Sequence, residues 1–237
     1  MKQDWFAKNY RNPQLARAEF ERTLDVYDKV AEAKPLRLRI AKPMKVNNST
    51  AYFERITDCI NLRKLICNIR VDTEVLYYTG QALAELHSAL NPQINCLDEN
   101  ISIHGDFSAT NVLYMPSKNL IYIVDFAPYR YDNSESYSYA PAYRDLAHLV
   151  LTLEIKYPIY KIHLVARKKN REMSAMFWEG YENVIGRKID RDKLYEFVIK
   201  EIESTKKLFR KRHLLTRFVW TKVFDRTMQR YINLKES

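Results

Sequence analysis

The sequence predicts an α+β protein of two unequal lobes, a small antiparallel sheet carrying one helix and then a larger, mainly helical lobe. Three observations predict it. The first third reads strand, helix, strand, strand; short apolar runs and turn signals fill residues 100–125; and from Tyr143 onward the apolar spacing is almost wholly helical. With 237 residues, 46% of them hydrophobic, a packed core is affordable, and a charged share of 29% excludes a disordered or collagen-like chain.

Residues 4–10, DWFAKNY, are short, aromatic and bounded by polar residues, which predicts a strand carrying Lys8. Asn12 before Pro13 is a helix start, a capping side chain followed by a residue with preset φ. Ala16, Phe20, Leu24, Tyr27 and Ala31 then recur at helical spacing to about Ala33, and Pro35 ends the helix. Leu36, Leu38 and Ile40 alternate with Arg37 and Arg39, the pattern of a half-buried strand. Asn47, Asn48 and Ser49 form a turn into a second strand, Thr50 to Ile56. The lobes divide near residues 56–60, giving a partial small lobe, 1–57, and a helical lobe, 58–237. A helix over Thr73–Leu90 opens the second lobe, and the runs Ile101–Ile103 and Leu120–Val124 read as a buried hairpin around a turn-rich segment.

Composition excludes several classes. The four glycines, Gly80, Gly105, Gly180 and Gly186, make neither GxGxxG nor GxxxxGK, so a Rossmann fingerprint and a Walker loop are both absent. Three cysteines, Cys59, Cys67 and Cys96, lack CxxC spacing and read as small buried hydrophobes in a reducing cytosol. No stretch approaches a membrane span, and the start MKQDWFAKNY has no signal core, so a cytoplasmic protein is expected.

The chemistry concentrates in two segments. IHGDFSATNVL puts His104, Asp106 and Asn111 in one loop after a short strand, and IYIVDFAPY puts Asp125 at the end of the next. Phosphoryl transfer needs such a set: one carboxylate to position and deprotonate the attacking hydroxyl, an amide and a second carboxylate to hold the Mg²⁺ that bridges the phosphates. The five-residue step from Asp106 to Asn111 lets a base and a metal ligand face one centre from opposite ends of a loop.

HGDFSATNVL resembles the HGDxxxxNxL signature of the aminoglycoside phosphotransferase-like small-molecule kinases, and VDF resembles their metal-binding Asp segment. QALAELHSAL is similar to the helix before their catalytic loop, AYRDLAHLV to a later helix whose Asp supports that loop, and FWEGY to a segment around Gly180. The resemblance implies a protein kinase-like two-lobe fold and an ATP- and Mg²⁺-dependent phosphotransferase. It makes Asp106 the catalytic base, Asn111 and Asp125 the Mg²⁺ ligands, His104 a loop-shaping residue and Asp145 a buried acceptor of loop N–H groups. WFAKNY resembles the strand whose Lys pairs with the α- and β-phosphates, which nominates Lys8. Glu19 and Glu21 are both candidates to hold that lysine, with Glu19 preferred because the family places an aromatic directly after this Glu. The hinge falls at Phe53, Glu54 and Ile56, which would supply adenine contacts.

The small lobe departs from the family pattern. Members have two strands and a phosphate-covering Gly-rich loop before the lysine, whereas seven residues precede Lys8 and no glycine precedes Gly80. An in-frame extension upstream of Met1 encoding those parts is the expectation for a longer kinase, and a catalytically silent kinase-like module that binds a nucleotide or partner is the alternative. The formal charge of +10 gathers in Arg167, Lys168, Lys169 and Arg171, and in Lys206, Lys207, Arg210, Lys211 and Arg212. The second group is expected on the wet face of a helix whose other face carries Leu215, Phe218, Val219 and Val223. This surplus favours a small anionic or sugar-like hydroxyl acceptor over a polycationic aminoglycoside, and leaves peripheral contact with an anionic membrane open. No helix-turn-helix, RNP or zinc-finger pattern occurs, so nucleic acid is not an expected partner. Tyr129, Tyr131, Tyr137, Tyr139 and Tyr143 crowd the stretch after Asp125, where a kinase-like fold passes its acceptor; packing of the loop is the equal alternative.

Overall fold

The computed structural model describes residues 5–67, 72–94, 96–126, 138–153, 164–209 and 214–236. Strand β1 (Trp5–Asn9) leads into helix α1 (Pro13–Ala33), which starts where its chemistry dictates: Asn12 Oδ1 accepts the Leu15 N–H at 2.9 Å and Pro13 occupies the first turn. At the other end Lys34 takes a left-handed conformation, with its N–H on Val30 O. Three short strands follow, β2 (Leu38–Ile40), β3 (Pro43–Asn47) and β4 (Thr50–Glu54). β1, β4 and β3 form an antiparallel sheet in that order, over a small core of Ala41, Ala51 and Phe53 packed with Tyr10, Phe20, Val46 and Ile56.

Two strand readings change. The sequence leaves out β3, because it begins at a proline and its register shifts between Pro43 and Lys45, which breaks the alternation. β2 does not join the antiparallel sheet. It pairs in parallel with β8 (Leu120–Ile123), in a sheet ordered β2-β8-β7-β5 with β7 (Val112–Met115) and β5 (Ile60–Asn61). Its entry is fixed by Glu85, whose carboxylate accepts the backbone N–H groups of Leu36, Arg37 and Leu38 at 2.7–3.2 Å.

The expected hairpin of Ile101–Ile103 with Leu120–Val124 is also corrected. β6 (Asn100–Ser102) pairs with β9 (Tyr139–Pro141), while β8 pairs with β7, a strand hidden inside the turn-rich segment. Asn91 closes the open side of β6, exchanging two side-chain hydrogen bonds with Ser102 at 2.8 and 2.9 Å.

The helical lobe is built from α2 (Leu62–Ile66), α3 (Glu74–Leu90), α4 (Tyr143–Leu151), α5 (Leu164–Ile185), α6 (Arg191–Phe209) and α7 (Leu214–Glu236). Its core holds Leu76, Leu83, Leu86, Ile103, Phe107, Phe126, Leu146 and Phe177, all fully buried, and reaches back to Val26 and Val30 of α1. Helix α1 therefore spans both cores, with Phe20 in the small one and Val26 in the large. Helices α3 and α5 touch backbone to backbone. A Cβ added at Gly80 would stand 2.0 Å from Phe177 O, and one at Gly180 2.0 Å from Tyr77 O, so these glycines are required by contact. The cysteines are not core residues as expected: Cys67 is exposed, and Cys59 and Cys96 are half-buried in connecting segments. No described helix is long and apolar enough to cross a membrane.

Candidate active site

Three charged side chains meet where the two cores face each other. Lys8 Nζ from β1 lies 2.8 and 2.9 Å from the two carboxylate oxygens of Glu19 on α1, and 2.6 Å from Asp125 Oδ1 just after β8, 117 positions away. Glu19 is buried in the middle of α1, one residue before Phe20, which anchors that turn in the small core. Glu21, the other candidate, is exposed and pairs with Arg17 one turn away. Burial opposes the Lys8 charge, but Asp125 and then Glu19 outweigh it and hold the ammonium pKa above its ordinary value. Burial pushes the Glu19 carboxyl up and the Lys8 contact pulls it back. Tyr10, two residues on, places its ring 5.3 Å from Lys8 Nζ; burial and the Glu19 carboxylate push its hydroxyl pKa up. Asp125 itself sits at φ 69°, a left-handed conformation uncommon outside glycine and found where the surrounding fold over-determines it.

The loop after β6 is held by its own motif residues. Gly105 adopts φ 88°, which needs a residue without a side chain. His104 is buried, and burial lowers its pKa, so its ring is neutral. In that state Nε2–H donates to Val124 O at 3.0 Å and Nδ1 accepts the Asp106 N–H at 3.2 Å, which ties the loop to the segment carrying Asp125. Asn111 Nδ2 donates to Asp106 O at 2.9 Å and lies 3.3 Å from Asp106 Oδ2, while Asn111 O accepts the Val124 N–H at 3.0 Å. His104, Asp106 and Asn111 are thus one hydrogen-bonded unit, bonded to the backbone of Val124, the residue before Asp125. Its carboxylate and amide oxygens are the hard donors a small divalent cation takes, and the Asp106 side chain stays 43% exposed.

Support comes from the helices. Asp145 on α4, with no exposure, accepts from His104 N at 2.7 Å and Gly105 N at 2.9 Å, and His87 Nε2 lies 3.1 Å from its Oδ2. The other His87 nitrogen meets Tyr181 Oη at 2.9 Å, so a buried chain runs from α5 through α3 to the loop backbone. That explains why an ELH segment and an FWEGY segment occur together: the two glycines bring the helices close enough for Tyr181 to reach His87. Arg22 of α1 donates to Ile103 O, linking the helix that carries Glu19 to the loop.

Other expectations are distributed differently. Phe53 is buried in the small core and Ile56 packs on it; Glu54 is exposed, with Oε2 accepting the Lys42 N–H at 3.2 Å. Tyr143 is buried, stacked on Phe197 with its hydroxyl accepting Asp190 N–H, whereas Tyr139 on β9 is exposed. Tyr129, Tyr131 and Tyr137 lie outside the described residues, as do Arg210, Lys211, Arg212 and the side chains of Arg167, Lys168, Lys169, Leu215, Phe218 and Val219. Arg171 and Lys207 are exposed and Lys206 pairs with Asp225. Sequence reasoning missed His148, Glu201, Arg144 and Arg22; the three-residue step from Asp145 to His148 within AYRDLAHLV was the one local signal that could have found any of them.

The two-core architecture that carries this arrangement fits a two-lobe, protein kinase-like fold. The chain is similar to a glucosamine kinase in complex with glucosamine, ADP and inorganic phosphate (TM-score 0.67, 11% identity, covering 89% of this chain and 72% of that one). A glucosamine kinase in crystal form A gives 0.68 and 12% over 95% and 73%, and a choline/ethanolamine kinase family protein from Mesorhizobium loti gives 0.59 and 10% over 100% and 88%. No family model matches the chain, and no curated protein matches it in sequence.

Proposed function

We propose that the protein transfers the γ-phosphoryl group of ATP to a hydroxyl of a small molecule. The observation that carries this is the meeting of Lys8, Glu19 and Asp125, from three elements distant in sequence, beside the loop that presents Asp106 and Asn111. Nucleotide would bind between residues 1–57 and 58–237, with Lys8 on its α- and β-phosphates, Glu19 holding the lysine, and the Phe53, Glu54 and Ile56 segment along the base. The Mg²⁺ of MgATP fits the chemistry of the donor set: Asn111 turns its Nδ2 to Asp106, and its Oδ1, held only by a long 3.4 Å contact with the Thr110 hydroxyl, would join the Asp125 carboxylate in holding the cation. When bound, it neutralises charge on the phosphates. Asp106 accepts the proton of the attacking hydroxyl, and His104 and Asp145 keep the loop in shape.

The acceptor class we favour is a small sugar-like hydroxyl compound. Glucosamine and choline, the compounds named for the structural neighbours, belong in the first panel with phosphorylated sugars, lipopolysaccharide-core sugars and aminoglycosides. The net charge of +10 favours the anionic members of that panel. Transfer from labelled ATP is expected to at least one of them. Asp106→Asn should lower kcat by about 10²–10⁴-fold while sparing ATP binding; full activity in that variant would remove Asp106 from its role. The alternative reading is a silent nucleotide-binding module. It predicts nucleotide binding with no transfer to any acceptor.

A further inference from the structure

Helix α4 delivers two side chains to the same loop. Asp145 and His148 are three positions apart and so share one helix face. Asp145 takes the loop's backbone, at His104 N and Gly105 N, while His148 takes a side chain: its Nε2 lies 3.2 Å from Asp106 Oδ1. Behind it, Nδ1 lies 3.5 Å from Glu201 Oε2 on α6, and Glu201 Oε1 lies 3.5 Å from Arg144 Nε, one turn earlier on α4. His148 and Glu201 are 6% and 5% exposed. Both ring nitrogens therefore lie at ion-pair distance from a carboxylate oxygen, Nε2 from Asp106 and Nδ1 from Glu201.

Asp106 needs such a partner. Its backbone is fixed by His104 and Asn111, its side chain is 43% exposed, and Asn111 Nδ2 lies 3.3 Å from Oδ2. With Oδ1 at ion-pair distance from His148 Nε2, 3.2 Å, and Oδ2 3.3 Å from Asn111 Nδ2, each oxygen has a neighbour that restricts the carboxylate. We infer that His148, backed by Glu201, is a positioning residue that fixes the Asp106 carboxylate in the orientation that meets the acceptor hydroxyl. The inference rests on the reading of Asp106 as the base. Misplacement of a reacting group by about 1 Å costs on the order of 100-fold in rate, which sets the scale expected.

The test uses His148→Phe, His148→Gln and Glu201→Gln in the full chain. Crystal structures read the Asp106 side-chain torsion, and MgATP-dependent transfer to the acceptor panel reads kcat and KM. In His148→Phe, Asp106 is expected to leave its wild-type torsion and kcat to fall about 100-fold, with the KM for ATP unchanged. His148→Gln can still donate to Oδ1 and is expected to keep the torsion and recover most of kcat. Glu201→Gln preserves volume and provides the comparison if His148→Phe does not fold; it should loosen Asp106 and lower kcat several-fold. An unmoved Asp106 in His148→Phe, equal losses for Phe and Gln at position 148, or an unchanged Asp106 and kcat in Glu201→Gln would each overturn the inference. Wild-type protein that transfers to no acceptor would instead overturn the proposed function, while the torsions would still decide the positioning claim.

Discussion

A carboxylate without exposure persists in a core only when its oxygens are fully used, and Asp145 uses both on two backbone N–H groups and His87. Burial alone would raise its pKa; the hydrogen bonds from His87 and the loop reverse this, and the value is lowered. Its contribution to stability is present at neutral pH and lost as pH falls through that depressed value. His148 has the opposite sign. Burial favours its neutral ring, but Asp106 and Glu201 outweigh burial and raise its pKa above 6.5. The stability that its imidazolium contributes is therefore full below the unfolded value and is lost as pH rises through the folded one. The groups facing the ring are Asp106 from the loop, Glu201 from α6, and Arg144 on α4 through Glu201. Wild type should accordingly melt above His148→Gln at about pH 6, by roughly 2–4 °C for each kcal/mol involved, and the gap should narrow in alkaline solution. Paired melting curves across pH check this, and a gap that widens with pH would contradict it.

Among the elements, the contact of α3 with α5 places the heaviest demand on sequence. Alanine at position 180 would gain about 1 kcal/mol in helix propensity, yet its Cβ would stand 2.0 Å from a backbone oxygen that cannot turn aside. Gly180→Ala should force the helices apart and separate Tyr181 from His87. We expect a net loss of about 2–3 kcal/mol, the upper range for overpacking, read by denaturant unfolding; a neutral or stabilising result would mean the helices separate freely. The long helices α1 and α3 were legible because caps, prolines and apolar spacing are all local. Strand partners were not. β6 finds β9 on the far side of Asp125, and β2 finds β8 more than eighty residues later, so pairing the nearer apolar runs into a hairpin gave the wrong neighbour. β7 was concealed because it begins directly after Asn111, inside a segment whose polar residues read as turn.

At the scale of the molecule, the loop motif was legible because its residues lie within eight positions and bond mainly to one another, as His104 does to Asp106 and Asn111 to Asp106. Lys8, Glu19 and Asp125 were individually nominated, but their distances follow from the placement of α1 across both cores, which no local pattern carries. Glu201 depends on α4 meeting α6 and was invisible for the same reason. The central claim is that these pieces form one MgATP site with separate metal and base carboxylates. Calorimetry of ATP binding with and without Mg²⁺, in wild type, Asp125→Ala and Asp106→Ala, tests it most directly. Wild type should show Mg²⁺-dependent binding that Asp125→Ala abolishes and Asp106→Ala largely retains. No Mg²⁺-dependent binding at millimolar ATP, or equal losses in the two variants, would contradict it.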